Sequence, residues 1–494
     1  MPIVVKSNGE AAQPAQSQQL SGYITHESQL TSLANGIAGD VHNAHEQKNA
    51  PLLTRAAYRI EKIRQAVVQY GVFGTIVESG LPLAQSHVTG SDNDSMRLYL
   101  NTNTPFSALV CGVQGSGKSH TVSVILENMF VTGCGALGRL VKPLSGLVLH
   151  VGETGASSAP CEAAYVSVSV IDNAQPPPVR VYVAPSSLKR MKRVYGHLGN
   201  NLEVKPLLFS ESELDAAAFL SLMAVNSSDS APLYMQTVLS ILRELGDEYT
   251  YSAFMKQLEE KKREMNPAQK AGLKQRLDLL QTFTRQTRSV PLANSSRNTV
   301  TMREEERFAS GMITIIDLSD PFVDPALAGA IFEICVRIFQ RASVDTGKVL
   351  VVDEAHKYLS DTNSPTGLTQ ALLSLVRQQR HMSMRVIVST QEPTVLPSAF
   401  LALCSAIILH RFASPAWWEH LKKHISAKMS SEDAFDRVVT LKTGEALICC
   451  PTGLYLSHHA EGQAGRLLQF SRNFLVVRTR KRVTADGGVS LMVV

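Results

Sequence analysis

The sequence lacks several features that would place it in a specialised class of protein. Its 494 residues contain no run of about 18 apolar residues, so we predict no transmembrane helix and no membrane partner. The N-terminus lacks the charged-then-apolar pattern of a signal peptide. The seven cysteines are odd in number and form no Cys-x-x-Cys pair, which favours reduced core cysteines over disulfides. We therefore expect a soluble intracellular protein, cytoplasmic or nuclear.

Charge is also scarce. Charged residues make up 18% of the chain and the net charge is only +5. This excludes a polybasic protein that coats nucleic acid, so any contact with nucleic acid would come from local patches. Hydrophobic residues make up 44%, which is ample for a core. The length allows two or three domains, or one large elaborated domain.

The most informative stretch joins a short apolar run, 107–111, to a helix-like segment, 120–130. We predict that it binds a nucleotide through Gly112, Val113, Gln114, Gly115, Ser116, Gly117, Lys118, Ser119 and His120. The three glycines let backbone N–H groups turn inward toward an anion, and the following helix adds the positive end of its dipole. Lys118 would reach the β- and γ-phosphates, and the Ser119 hydroxyl would ligate Mg²⁺. The alternative is a glycine-rich turn that matches by chance.

Composition divides the chain into four parts. They are a mobile leader (1–50), an N-terminal helix with short strands (51–100), a core that contains the phosphate-binding loop (101–455) and a C-terminal extension (456–494). The first helix is expected within 54–70, where apolar residues recur at helical spacing. In the core, 155–178 is rich in Ala, Ser and Pro and is expected to be an exposed insertion. A second insertion, 211–300, lacks strand signals and is expected to be helical.

Apolar runs typical of strands buried on both faces lie at 146–151, 312–317, 349–354, 385–391 and 406–410. Helix-like segments lie between several of them. Strands that alternate with helices indicate βαβ units, so we predict an α/β fold with a mainly parallel sheet and helices on both faces. Two further apolar runs, 438–441 and 445–449, flank Lys442-Thr443-Gly444 and predict a hairpin.

The third of these runs ends in two acidic residues, Asp353 and Glu354. A carboxylate that ends a strand beside the phosphate-binding loop can hold the hydration shell of Mg²⁺, so we predict that Asp353 faces Ser119 across the metal. Glu354 is placed to orient or deprotonate the attacking water. The alternative is that the two acidic residues start a helix. Together with the loop, the pair predicts that the bound triphosphate is hydrolysed.

Three further residues are candidates for catalysis. Gln391 ends the next strand at the carboxyl edge of the sheet, where it can contact the γ-phosphate or the water; alternatively it only terminates the strand. Arg377 and Arg380 lie three residues apart on the preceding helix-like segment and therefore on one face. Either could be an arginine finger offered to a neighbouring subunit, and the alternative is a solvated basic face.

Missing motifs argue against two other ATPase classes. Asp353-Glu354-Ala355-His356 spells the four letters of the DEAH-box helicases, but no Ser-Ala-Thr motif and no Gln-x-x-Gly-Arg-x-Gly-Arg run follows. No Leu-Ser-Gly-Gly-Gln signature occurs either, which argues against an ABC transporter ATPase.

Taken together, these motifs resemble the HerA–FtsK superfamily of P-loop pumping ATPases, and HerA-like members most. The resemblance covers roughly 100–455 and is carried by 112–119, 315–319, 351–359, 377–391, 404–412 and 441–447. It implies a P-loop NTPase with a RecA-like sheet that uses ATP and Mg²⁺. It also implies a homo-oligomeric, hexameric ring that couples ATP hydrolysis to the movement of DNA, or sometimes of protein. A nucleotide-dependent switch or assembly ATPase that moves nothing is the alternative.

Three basic patches bear on a DNA partner. They lie at 189–193, 256–276 and 478–482. Each could contact phosphates, with a salt-dependent contribution from each cation. The alternative is that they are solvated helix faces or tails.

Overall fold

The computed structural model describes residues 46–81, 96–223, 233–284, 307–359, 367–425, 430–457 and 465–488. The chain divides into two units, Met1–Asn49 and Ala50–Val494. In the first unit only 46–49 are described, and there the Asn49 N–H donates to the Glu46 carbonyl. The predicted leader therefore lies almost wholly outside the described residues.

In the second unit, the described strands form one 16-stranded sheet. They are β1 (Leu52–Thr54), β2 (Tyr70–Ser79), β3 (Arg97–Leu100), β4 (Ser107–Cys111), β5 (Gly138–Arg139), β6 (Ser145–His150), β7 (Val179–Val183), β8 (Leu202–Pro206), β9 (Ile313–Asp317), β10 (Lys348–Val352), β11 (Met384–Thr390), β12 (Ala406–Leu409), β13 (Glu445–Cys449), β14 (Leu454–Ser457), β15 (Arg466–Gln469) and β16 (Phe474–Thr479).

One half of the sheet is parallel throughout. Its order is β12-β4-β11-β10-β6-β9-β7-β8, and each neighbouring pair runs in the same direction. Every residue of β4, β6, β9, β10 and β11 is buried, as continuous apolar runs predict for strands covered on both faces. The predicted α/β fold with a mainly parallel sheet is confirmed.

The described helices cover this sheet from both sides. They are α1 (Arg55–Tyr58), α2 (Glu61–Ala66), α3 (Lys118–Phe130), α4 (Leu188–Tyr195), α5 (Ala216–Met223), α6 (Leu233–Leu245), α7 (Tyr251–Lys262), α8 (Pro267–Thr282), α9 (Pro325–Arg341), α10 (Gly367–Gln378), α11 (Ser398–Leu403), α12 (Pro415–Lys422) and α13 (Ser431–Val439). Among these described segments, none is both long and apolar enough to cross a membrane.

Alternation along β6 shows how the two layers form. Leu147 packs into a core cluster with residues of α5 to α10, whereas Val148 packs into a second cluster with residues of α3 and α4. Side chains of successive strand residues point to opposite faces, so each strand supplies both clusters. Helices α5 to α8 lie between β8 and β9 in the chain, and α9 begins at a cap in which Asp324 accepts from the Leu327 N–H.

The other half of the sheet is largely antiparallel, in the order β12-β13-β16-β2-β3-β1-β14-β15. The predicted hairpin at 438–449 is wrong, because 438–439 end helix α13 and β13 pairs with β12 and β16. Strand β16, from the end of the chain, lies between β13 and β2 inside the sheet. The helix expected over 54–70 is two short helices, α1 and α2.

The segment 155–178 is not exposed throughout, contrary to expectation. Cys161, Ala164 and Val166 are buried in the core cluster that contains α3. Apolar side chains hidden among the Ala, Ser and Pro residues therefore fix the middle of this segment against the sheet.

Candidate nucleotide and metal site

The loop after β4 has the backbone of an anion cradle. Gly112, Gly115 and Gly117 have φ angles of 155°, 73° and 111°. At Gly112 an added Cβ would lie 2.7 Å from Cβ of His410, so only glycine fits there. Helix α3 begins directly after Gly117, an N-cap residue that has no side chain to accept from the first N–H groups. Its first N–H groups and its dipole are therefore directed at the space above the loop.

Lys118 is folded back over this loop. Its Nζ donates to the Val113 carbonyl at 2.9 Å, and the Ser116 hydroxyl donates to the same oxygen at 2.7 Å. Burial lowers the pKa of the ammonium, against the opposing charges of Glu354 and Asp353. The ammonium is thus a largely buried cation that donates to the Val113 carbonyl, and an incoming phosphate can contact it in place of that carbonyl.

The phosphate-binding loop and the start of α3 are also contacted by two residues that the sequence did not predict, His410 and Gly444. The His410 ring donates from Nδ1 to the Glu445 carbonyl at 2.9 Å, and its Nε2 lies 3.0 Å from the Thr121 hydroxyl. The Gly444 N–H donates to the Ser116 carbonyl at 3.2 Å. Burial lowers the pKa of His410 to about 4. A neutral ring then donates from Nδ1 to the carbonyl and accepts the threonine hydroxyl at Nε2.

Asp353 comes directly after β10 and is held by a histidine from the neighbouring strand. Its Oδ2 lies 3.1 Å from Nδ1 of His150, the last residue of β6. Burial opposes ionisation of Asp353, yet the hydrogen bond and the charge of His150 keep the pKa of this carboxyl below its usual value. Burial likewise opposes a charged His150, but Cys161 and Asp353 raise its pKa well above the usual value.

Glu354 has an unusual backbone. Its φ is 50° and its ψ is 43°, a left-handed conformation that costs a non-glycine residue about 1 kcal/mol or more. Gln391, directly after β11, donates from Nε2 to Oε2 of Glu354 at 2.9 Å. Nδ1 of His356 lies 3.5 Å from the same carboxylate oxygen. The strained turn aims the carboxylate at the carboxyl edge of the sheet.

Five of the predicted site residues line one cavity of about 480 Å³, a size suited to a small-molecule ligand. Gln114, Ser119, Asp353, Glu354 and Gln391 all contribute to its wall. The hydroxyl of Ser119 and the carboxylate of Asp353 are oxygen ligands of the kind Mg²⁺ prefers, so the pair fits the predicted metal. A larger cavity of about 830 Å³ lies elsewhere and contains none of these five residues.

Arg377 and Arg380 lie away from this cavity. Arg377 is in the last turn of α10 and Arg380 follows the helix, so they share no helical face. Both are exposed and precede β11, whereas Gln391 follows it. A seven-residue strand separates them from the cavity by roughly 20 Å within one chain. The prediction that the two arginines share one helical face is wrong, because the helix ends at Gln378.

His120, in the first turn of α3, lies against the basic tail. Nε2 of His120 lies 2.8 Å from the Arg480 carbonyl. Arg480 itself pairs with the fully buried Glu127 at 2.5 Å, and Arg482 pairs with Glu162. Arg480 and Arg482 are therefore held in ion pairs within the chain, whereas the other two cations of the tail at 478–482 are exposed.

No protein-family model and no curated protein sequence matches the chain. Among solved structures, VirB4 of Thermoanaerobacter pseudethanolicus is 15% identical over 84% of this chain and 97% of its own, with a TM-score of 0.41. The plasmid coupling protein TrwB is 11% identical over 84% and 98%, with a TM-score of 0.39. The genome packaging NTPase B204 of Sulfolobus turreted icosahedral virus 2 is 12% identical over 74% and 96%, with a TM-score of 0.29. Similarities this low carry no argument about function.

Proposed function

We propose that this chain binds ATP with Mg²⁺ and hydrolyses it. One observation carries the proposal: Gln114 and Ser119 of the phosphate-binding loop line the same cavity as the acidic pair. Strand β11 lies between β4 and β10, and all three are parallel. The loop, Asp353 and Gln391 each follow the carboxyl end of one of these strands, which is where ligands bind in open α/β sheets.

Binding is the task of the loop and of Lys118. The N–H groups of the glycine-rich backbone would surround the β-phosphate, and Lys118 would exchange its bond to the Val113 carbonyl for phosphate oxygens. Ser119 and Asp353 would hold Mg²⁺, with His150 keeping the Asp353 carboxylate ionised and oriented. The metal would neutralise charge on the phosphates.

Hydrolysis is the task of Glu354. Its carboxylate borders the same cavity as Ser119, so it can orient a water and accept its proton. The hydrogen bond from Gln391 orients the carboxylate of Glu354. The left-handed backbone conformation sets the position from which this side chain extends. Gln391 borders the cavity as well, so its amide could also contact the γ-phosphate.

We further propose that the enzyme is a motor of the HerA–FtsK type, a homo-oligomeric ring that acts on DNA. The resemblance of the sequence motifs supports this. The exposure of Arg377 and Arg380 is compatible with a finger that reaches the site of a neighbouring subunit. On α4, Lys189, Lys192 and Arg193 are exposed and available to phosphates.

The ATPase rate with and without single- and double-stranded DNA, together with size-exclusion chromatography, tests the motor. We expect hexamers whose ATP hydrolysis is stimulated by DNA, with a stimulation that weakens as salt rises. A monomer that hydrolyses ATP at a rate unaffected by DNA would contradict the motor and favour a nucleotide-dependent switch. The variant Lys118→Ala should lose ATP binding and serves as the negative control.

A further inference from the structure

Three side chains with metal-binding atoms meet beside the candidate nucleotide site. They are His150 at the end of β6, Cys161 in the segment that follows, and Asp353 after β10. One ligand atom from each residue lies within 4.8 Å of the other two. Because β6 and β10 are parallel neighbours, the sheet itself places His150 and Asp353 side by side.

The spacing of the three atoms suits a tetrahedral ion. In a tetrahedral zinc site with nitrogen and oxygen ligands about 2.0–2.1 Å from the metal, the two ligand atoms lie about 3.3 Å apart. Nδ1 of His150 and Oδ2 of Asp353 are 3.1 Å apart. A thiolate at the longer zinc–sulfur distance completes three corners, and the fourth remains for water. Small movements of side chains would therefore be enough to admit the ion.

Burial and access both favour a bound ion. His150, Cys161 and Asp353 are 8%, 0% and 7% exposed. His150 and Asp353 nevertheless line the cavity of about 480 Å³, and so do Pro160 and Glu162 on either side of Cys161. An ion can thus enter from the cavity and be held by groups shielded from bulk solvent.

The surrounding residues fix this arrangement. The Cys161 N–H donates to the Tyr195 hydroxyl at 3.0 Å, and that hydroxyl donates to Asp317 at 2.6 Å. On the other side, the Tyr358 hydroxyl donates to the Asp353 carbonyl at 2.7 Å. These bonds fix the backbone from which two of the three ligands extend.

We propose that His150, Cys161 and Asp353 form a binding site for Zn²⁺, and that zinc there competes with the role of Asp353 toward Mg²⁺. The ligand set selects the ion: Mg²⁺ takes oxygen ligands in an octahedron, whereas thiolate with imidazole favours Zn²⁺. Binding releases two protons to solvent, one from the Cys161 thiol and one from Nδ1 of His150. The second half of the proposal rests on the proposed ATPase activity, because Asp353 cannot serve both ions. Zinc is then an inhibitor of ATP hydrolysis.

Cobalt titration tests the site without reference to ATPase activity. The metal-free full-length chain is titrated with Co²⁺, which reports tetrahedral thiolate coordination through intense visible bands and a near-ultraviolet charge-transfer band. We expect both to saturate at one ion per chain and to disappear on addition of Zn²⁺. Cys161→Ser should abolish the charge-transfer band, and Cys404→Ser, at a partly buried cysteine outside the cluster, should retain it. Equal bands in the two variants would overturn the site.

Two more measurements cover the remaining outcomes. If Cys161→Ser does not fold, zinc-edge X-ray absorption of the wild-type chain should show one sulfur about 2.3 Å from zinc, and absence of sulfur would overturn the site. Zinc should inhibit Mg²⁺-dependent ATP hydrolysis of the wild type, and Cys161→Ser should need at least ~10-fold more zinc, a difference of 1.4 kcal/mol. Cobalt bands without zinc inhibition would overturn the competition alone. A chain with cobalt bands and no ATPase activity would contradict the proposed function and leave the site standing.

Discussion

The side-chain amide of Gln391 donates a 2.9 Å hydrogen bond to Oε2 of Glu354. The bond joins the ends of two neighbouring parallel strands, because Glu354 follows β10 and Gln391 follows β11. Glu354 also has a left-handed backbone with φ of 50°. Strain of this kind persists only where the surroundings enforce it, and it is concentrated at functional sites. The proposed base is thus held at both its backbone and its carboxylate.

Replacement of Gln391 tests whether this bond positions the base. In Gln391→Ala the Glu354 carboxylate loses its partner, so we expect kcat for ATP hydrolysis to fall roughly 10- to 100-fold while KM changes little. Steady-state kinetics measures both. Gln378→Ala, which removes an exposed glutamine at the end of α10, is the matched control and should behave as wild type. Unchanged kcat in Gln391→Ala would show that Gln391 does not position Glu354 for catalysis.

The two exposed arginines are tested in mixed assemblies. Arg377→Ala or Arg380→Ala should reduce turnover by about 10³-fold and leave ATP binding intact, because a finger stabilises charge that develops only in the transition state. Mixing the inactive variant with Lys118→Ala subunits should restore part of the activity, since each supplies what the other lacks. Arg472→Ala, also exposed, is the control. Normal hydrolysis by both arginine variants would place the finger elsewhere.

His410 gives the stability a dependence on pH. Burial lowers its pKa to about 4, against about 6.5 in the unfolded chain. Between pH 6.5 and 4, His410 binds a proton in the unfolded state but not in the native state, so protonation favours unfolding. The stability that depends on a neutral His410 is therefore fully present above pH 6.5 and is lost as the pH falls toward 4. From pH 7.5 to 5 the free energy of unfolding should fall by about 2 kcal/mol through His410 alone.

Urea unfolding at the two pH values measures this contribution. The loss between pH 7.5 and 5 should be about 2 kcal/mol smaller in His410→Gln than in wild type. His381→Gln, at an exposed histidine, should show the wild-type loss. If His410→Gln shows the wild-type loss as well, then the ring behind the loop is not kept neutral by burial.

Glu127 ties the end of the chain to α3, the helix that follows the phosphate-binding loop. The carboxylate is fully buried and accepts from Arg480, from the N–H groups of Val483 and Thr484, and from the Thr484 hydroxyl. Glu127→Ala leaves the buried charge of Arg480 without its carboxylate and two N–H groups without their acceptor, so we expect a loss of about 3–5 kcal/mol in the free energy of unfolding.

Denaturant unfolding of Glu127→Ala is compared with that of Glu419→Ala. Glu419 pairs with Lys422 on an exposed surface of α12, where an ion pair contributes at most about 1 kcal/mol. A similar small loss in both variants would mean that the buried pair does not hold the tail on α3.

The sequence predicted those parts of the molecule that depend on neighbouring residues. Short local patterns predict the glycine loop before α3, the buried strands and the acidic end of β10. Pairings between distant segments could not be read in this way. Nothing local to Phe474–Thr479 shows that this strand lies between β13 and β2, and the arginines beside it look solvated until Glu127 is placed against them.

The same limit applies within the candidate site. His150 ends a strand that the apolar pattern predicted, but its contact with Asp353 depends on which strands are neighbours in the sheet. Cys161 lies in a segment whose small and polar residues indicate exposure, and only the packing of α3 and the sheet buries it. A histidine at the end of a predicted buried strand was the one usable signal.

The central claim is that Glu354 completes a site that hydrolyses ATP, and Glu354→Gln tests it most directly. The substitution keeps the size of the side chain and its reach toward Gln391 but removes the base. We expect wild-type protein to hydrolyse ATP only with Mg²⁺, and Glu354→Gln to bind ATP with similar affinity while turnover falls by at least about 10²-fold. Turnover by Glu354→Gln at the wild-type rate, or no turnover by the wild type, would contradict the account.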